Sequence, residues 1–343
     1  MTRVEKTKKT TIYDLAELTG VSASAVSAIL NGNWKKRRIS ASLAEKVTRI
    51  AQEQGYAVNR QASLLRSKKS NVIGMIVPKY DNRYFGSIAE KFEEMARARG
   101  LLPIITCTRR QPELELDAAR AMLSWQVDWV IATGATHPDK IAELCHQAGV
   151  PTLNLDLPGT LAPSIISDNY GGAKMLTERI LASSFKRFGL LAPLTFVGVR
   201  RSDNNTAERL RGFLDAHQAH GLTVPEQQLL VTGYSSSRVE EQLRATFPSP
   251  STALKGLFVN STISLEGVVR WLAQYGRTGQ NQPPMGCFDW DPFVSLLGHD
   301  IDMVRQDVPA MLEKVFEILD SGDTSVRRIE IPPELIGSQS VTA

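Results

Sequence analysis

The chain has few cysteines, few aromatic side chains and no long apolar run, and each shortage closes off a class of protein. Three cysteines in 343 residues, Cys107, Cys145 and Cys287, stand singly in apolar surroundings without paired spacing. Neither a disulfide framework nor a zinc site is expected, and reduced core thiols fit a cytoplasmic protein. No run of about eighteen apolar residues occurs, and the basic start MTRVEKTKKTTIYD lacks the apolar stretch of a signal peptide behind it, so neither a membrane span nor export is expected. A glycine-rich phosphate loop, a G-x-S-x-G elbow and a metal-spaced His/Asp cluster are all missing, and the five histidines, His137, His146, His217, His220 and His299, are scattered. An enzyme is therefore not expected, and no metal or cofactor is called for.

What is present is an uneven charge. Residues 1–70 hold 14 of the 40 Lys/Arg and 5 of the 36 Asp/Glu, a net +9, and the remaining 26 and 31 give residues 71–343 a net −5. The overall +4 thus joins a basic head to an acidic body, as expected when one module meets a polyanion and the other does not. The length suggests two or three units.

The head reads as a helix-turn-helix. Thr11 caps a first helix on which Ile12, Leu15, Ala16 and Leu18 gather to one side, Thr19-Gly20 breaks it, and Ser22 caps a second. The second helix buries Val21, Ala25, Val26, Ile29 and Leu30 and turns Ala23, Ser24, Ser27 and Ala28 outward, a narrow face sized for a DNA major groove. The loop Asn33-Trp34-Lys35-Lys36-Arg37-Arg38 puts four positive charges beside it, suited to phosphates. Ser40 or Ser42 caps a third helix, with Glu45 placed to close a capping box with Ser42 and with Leu43, Val47, Ile50 and Ala51 as its buried stripe. A basic linker able to become a short helix follows.

From residue 71 the texture becomes alternating strand and helix. Strands are expected at 72–78, 101–107, 127–133 and 151–155 with helices at 88–99, 113–125 and 140–148. A second set has helices at 169–183, 207–220 and 265–275 and strands at 187–191, 229–232, 257–260 and 284–288. An apolar segment at 302–304 and a helix at 308–320 end the regular structure. Two doubly wound parallel-sheet subdomains of this kind meet at a crevice lined by strand ends, where ligands bind.

These residues resemble the LacI/GalR family of bacterial transcriptional regulators over nearly the whole chain. The matches include Thr11-Ile12-Tyr13-Asp14-Leu15-Ala16, Gly20-Val21-Ser22, Val26-Ser27, Leu30-Asn31-Gly32, Glu45-Lys46-Val47, Gly55-Tyr56, Asn59-Arg60, Ala62, Leu65 and Ile73-Gly74. The long basic loop, residues 71–132 and residues 287–318 look most like the fructose-repressor and sucrose-repressor subgroup. The resemblance implies an all-α DNA-binding domain at 1–58, a hinge helix at 59–70 and a periplasmic-binding-protein-like effector and dimerisation core at 71–343. Its first subdomain would span about 71–166 and 303–343, and its second about 167–302.

It further implies a homodimer, with a tetramer left open, acting in the cytoplasm as a repressor of carbohydrate genes on a palindromic operator. DNA contacts would come from Thr11, Tyr13, Ser22, Ala23, Ser24, Ser27, Ala28, Asn31, Lys35, Lys36, Arg37 and Arg38, and from Asn59, Ala62 and the minor-groove wedge Leu65. Ala28 and Ser63 stand where relatives often carry Arg, so much of the readout would fall to Ser27, the basic loop and DNA deformability. A sugar, sugar phosphate or sugar acid would be held by Tyr84, Phe85, Asp156, Asp168, Arg209, Ser261, Trp290, Asp291 and Gln306, with Arg209 and Asp291 as the clamp. Lys79, Arg83, Arg200 and Arg201 would supply further charge. An exported sugar-binding protein and a DNA binder without effector control are the alternatives, and the basic head counts against the first.

Overall fold

The computed structural model describes residues 10–56, 69–200, 202–248, 254–274, 282–297 and 300–337. Asn59, Ala62 and Leu65 of the expected hinge helix, and Arg201, lie outside the described residues. The chain divides into two compact units, residues 1–70 and 71–343.

In the first unit, α1 (Ile12–Thr19), α2 (Ala23–Leu30) and α3 (Ala41–Glu53) enclose Leu15, Val26, Ile29, Ala44, Val47 and Ala51. A capping box starts α1: Thr11 Oγ1 accepts from the Asp14 amide, and the Asp14 carboxylate accepts from the Thr11 amide at 2.7 Å. Gly20 ends it at φ 73°, a left-handed conformation that a Cβ would strain. Ser22 and Ser40 cap α2 and α3. The capping box expected at Ser42 and Glu45 does not form, because Ser40 starts the helix and leaves Ser42 inside its first turn. Leu18, expected in the buried stripe, is 54% exposed. Thr19 takes the inner place, four residues on from Leu15, and its hydroxyl is satisfied by the Leu15 carbonyl at 2.6 Å.

The second unit holds two sheets wound alike. The first has the order β11-β5-β4-β3-β1-β2, from β1 (Val72–Val77), β2 (Leu102–Cys107), β3 (Trp129–Thr133), β4 (Thr152–Leu155), β5 (Ser164–Ser167) and β11 (Arg328–Ile331), all parallel. The second has the order β12-β10-β9-β8-β6-β7, from β6 (Thr195–Val197), β7 (Leu229–Leu230), β8 (Leu257–Val259), β9 (Met285–Phe288), β10 (Ile301–Arg305) and the antiparallel β12 (Glu334–Ile336). The run VIGMIV of β1 is buried at every position because helices cover both faces. On the first sheet these are α4 (Arg83–Ala98), α5 (Pro112–Ser124), α6 (Pro138–Gln147) and α11 (Val308–Ser321). On the second they are α7 (Asn169–Phe188), α8 (Asn204–Ala219), α9 (Ser236–Thr246) and α10 (Thr262–Gln274).

Three expectations are corrected. The strand expected at 187–191 is the end of α7, which runs to Phe188 and stops at Gly189 with φ 70°; its apolar residues belong to the helix and the following loop, and the strand is Thr195–Val197. Regular structure does not end at 320, since β11 and β12 follow. The segment 303–343 does not all belong to the first subdomain: α11 and β11 do, whereas the rest of β10 and β12 complete the second sheet. The chain therefore passes between the subdomains three times, after β5, after β10 and after β11.

Candidate functional site

Two sites take shape, one in each unit. In the first, α2 presents Ser24 to solvent, with Ala23 and Ser27 partly exposed and Tyr13 of α1 75% exposed. Asn31 donates to the Ser27 carbonyl at 2.8 Å and to its hydroxyl at 3.3 Å. Ala28 is a correction: it is 6% exposed, because the chain folds back beyond α2 and the Asn33 amide donates to the Ala28 carbonyl at 2.8 Å. In the loop that follows, Trp34 packs against the helical core, and Lys35 Nζ sits 5.3 Å from its ring centre. Arg38 adopts φ 55°, and Lys35, Lys36, Arg37 and Arg38 are all exposed. The half-buried indole thus anchors a loop whose four cations are exposed, as phosphate contact requires.

In the second unit, Asp156 follows β4 and Asp289 follows β9, strands that hold equivalent places in the two sheets. Both adopt left-handed backbone, at φ 74° and 75°, which turns the chain sharply at the strand end and holds a buried carboxylate there. Between them Arg209 of α8, 4% exposed, donates through Nε to Asn169 Oδ1 at 2.8 Å and through Nη1 to the Asn260 carbonyl at 2.6 Å. Its Nη2 lies 3.8 Å from Asp289 Oδ1, and its plane rests 3.7 Å from the centre of the Phe288 ring. Gln306 donates to the same Asp289 oxygen at 2.7 Å. On the other side Asp156 Oδ1 accepts from the Tyr84 hydroxyl and from Asn205 Nδ2, each at 3.1 Å, and Asn169 Nδ2 donates to Asn205 Oδ1 at 3.1 Å.

One polar array thus runs Tyr84, Asp156, Asn205, Asn169, Arg209, Asp289, Gln306, across both subdomains, hydrogen-bonded at every step except the 3.8 Å ion pair of Arg209 with Asp289. Burial raises the Asp156 carboxyl to about 6, Arg110 and Arg209 offsetting part of the rise. Asp289 is raised by the same cause, and the Tyr84 hydroxyl is pushed well up by burial and by Asp156. Buried Asn260 Oδ1 and Gln306 Oε1 have no hydrogen-bond partner among the described residues and remain open to a donor. Outside this array lies a cleft of about 620 Å³ lined by Tyr80, Asn82, Arg83, Tyr234, Thr262 and Asp291 among others, and Arg83 pairs with Asp291 across it at 3.1 Å.

A groove-sized helix beside a basic loop and a polar array between two sheets are the parts of a ligand-controlled DNA binder. The sequence profile described as "Bacterial regulatory proteins, lacI family" matches residues 11–59, and that of "Periplasmic binding proteins and sugar binding domain of LacI family" matches residues 70–256. The chain belongs to the LacI family. It is a DNA-binding transcriptional regulator and not an enzyme. Among its LacI-family relatives, it is 82% identical over 195 residues to the ribitol operon repressor of Klebsiella aerogenes, covering 57% of this chain and 72% of that one. It is 29% identical over 315 residues to the sucrose operon repressor of Klebsiella pneumoniae, covering 92% of each. The fold matches that of the lac repressor dimer bound to operator and an anti-inducer, with a TM-score of 0.79 at 22% identity over 98% of this chain and 100% of that one.

Within this LacI-family core the expected crevice residues divide. Tyr84, Asp156, Arg209 and Gln306 come together in the array, and Phe85 lies buried beside Gly134, its ring beneath Arg110. Asp168 and Ser261 instead accept from the amides of Gly171 and Ser264 at helix starts. Trp290 packs on the core of the second subdomain with Arg305 over its ring at 5.6 Å. Arg209 pairs with Asp289, not with Asp291, which is held at the mouth by Arg83. Lys79 pairs with Asp81, and Arg200 lies over Tyr234. Asp289, Asn169, Asn205, Asp203, Tyr234 and Arg110 were not foreseen. The strand-end position of Asp289, one residue before the expected Trp290, was the available signal. Among the described residues no helix is long and apolar enough to cross a membrane.

Proposed function

We propose that this regulator binds a palindromic operator as a homodimer, represses genes of pentitol metabolism in the bacterial cytoplasm, and is controlled by ribitol held in the crevice. The observation that carries the reading is the array itself. Two buried carboxylates, Asp156 and Asp289, flank a guanidinium that Asp289, Asn169 and Asn260 already engage. Such a site offers alternating acceptors and donors to hydroxyl groups, each of which does both, and its two carboxylates outweigh the one guanidinium they flank. The 82% identity to a ribitol operon repressor supports a link to the same polyol. Tyr84, Asp156, Asn205, Arg209, Asp289 and Gln306 are the effector residues on this reading. Ser24, Ser27 and the exposed loop from Lys35 to Arg38 meet the DNA.

Thermal-shift titration with ribitol, xylitol, D-arabitol and fructose 1-phosphate tests the ligand. A ligand at a hundredfold excess over its Kd stabilises the folded state by about 2.7 kcal/mol. Ribitol is expected to raise the melting temperature at the lowest concentration. A larger shift with fructose 1-phosphate would overturn the neutral-polyol reading.

A further inference from the structure

The loop after β2 contains a cation that the array above does not use. Arg109 and Arg110 are consecutive left-handed residues at φ 54° and 56°. Backbone strain of this kind in side chains other than glycine is held only where surrounding contacts compensate for it. Here two rings do so: the Arg110 guanidinium lies 5.5 Å from the centre of Phe85 and 4.9 Å from that of Tyr234. Phe85 belongs to α4 of the first subdomain, whereas Tyr234 lies between β7 and α9 of the second and lines the cleft. Arg110 therefore reaches across the crevice from one half to the other. Tyr234 is itself fixed, its hydroxyl donating to Asp203 Oδ2 at 2.5 Å.

The guanidinium is partly buried, yet among the described residues it makes no hydrogen bond and no ion pair. Arg209 is the opposite case, a guanidinium with its donors engaged by protein. An arginine held by ring faces alone keeps its edge donors available, because the cation–π contact uses the face of the group. Its charge also reaches Asp156, where it offsets more of the burial-driven rise than Arg209 does. A fork of parallel N–H groups next to a carboxylate suits two adjacent hydroxyls: each oxygen accepts from the fork and each hydrogen remains to be given to the acid.

We propose that Arg110 is a specificity-determining ligand residue of this regulator, donating to two neighbouring hydroxyl oxygens of the bound polyol and, by spanning Phe85 and Tyr234, tying ligand occupancy to closure of the two subdomains. This inference rests on the polyol reading above. Its test is ribitol titration by calorimetry of the full-length wild type, Arg110→Met and Arg110→Lys, each with its unliganded melting temperature recorded. Arg110→Met keeps the length and loses the fork and the charge; Arg110→Lys restores the charge only. Both are expected to weaken ribitol binding by about 30-fold or more, with Arg110→Lys regaining less than about threefold. A Met variant that is folded and binds ribitol within about threefold of wild type overturns this inference alone. Full recovery in Arg110→Lys also overturns it, since a point charge would then suffice. A wild type that gives no heat with ribitol overturns the polyol reading and this inference with it.

Discussion

Replacing Arg209 by methionine would leave the Asp289 carboxylate, the Asn169 amide oxygen and the Asn260 carbonyl without their shared donor in a buried site. The expected cost is about 3 kcal/mol of stability as well as loss of the effector response, read by urea denaturation and by operator release. Arg209 is thus a structural hub too, which the sequence could not reveal, because its partners come from three other elements. Its candidacy as a ligand residue came from the family resemblance. Asp156 makes a prediction about pH. Its carboxyl lies at about 6 in the fold against 3.8 unfolded, so the folded state holds the extra proton between those values. That contribution is fully present below 3.8 and is lost as pH rises through about 6. Asp156→Asn should therefore compare better with wild type at pH 7.5 than at pH 5 in melting temperature. A difference that stays constant between the two would show that Asp156 does not carry the shift.

Helix α8 places Arg209 by packing closely on α7. Gly212 lies at the crossing, where an added Cβ would come 2.4 Å from the Tyr170 carbonyl oxygen. Backbone sets that distance, so no side-chain rotation relieves it, and Gly212→Ala is expected to cost about 1–3 kcal/mol and to weaken effector binding with it, by chemical denaturation and calorimetry. One turn further on, His217 is fully buried between two backbone groups. Its Nε2 accepts from the Leu194 amide at 3.0 Å and its Nδ1 faces the Phe213 carbonyl at 2.7 Å, an arrangement that requires the neutral ring. Burial lowers its pKa from 6.5, the neighbouring His220 acting in the same direction. The stability this provides is complete above 6.5 and is lost as pH falls below that value, when the unfolded state takes the proton and the fold does not. Imidazole resonances of His217 should begin to change at a lower pH than those of an exposed histidine. The sequence places the histidines mostly on polar helix faces or loops, and His217 departs from this because a single polar residue in a helix shows no sign of which neighbour will satisfy it.

At the scale of the whole molecule the charge asymmetry has a direct readout. Changing Lys35, Lys36, Arg37 and Arg38 together to alanine should lower DNA affinity for operator and random duplex alike. It should also flatten the dependence on salt by roughly 0.9 in the log–log slope for each phosphate that is no longer neutralised. Retained affinity with lost sequence preference would mean that this loop reads bases. The sequence alone determined much of this plan. Caps at Thr11 and Ser22, the Gly20 break, the buried runs of the parallel strands and the +9 head are local signals, and local backbone preference and hydrophobic periodicity suffice to read them. Only the tertiary structure decided the division of the last forty residues between two sheets, the burial of Ala28, the use of Asp168 and Ser261 as caps, and the pairing of Arg209 with Asp289. The division and the pairing depend on which distant segment arrives beside a residue, whereas Ala28, Asp168 and Ser261 turn on neighbours a few residues away; in either case a polar side chain commits its hydrogen bonds only when its neighbour is in place.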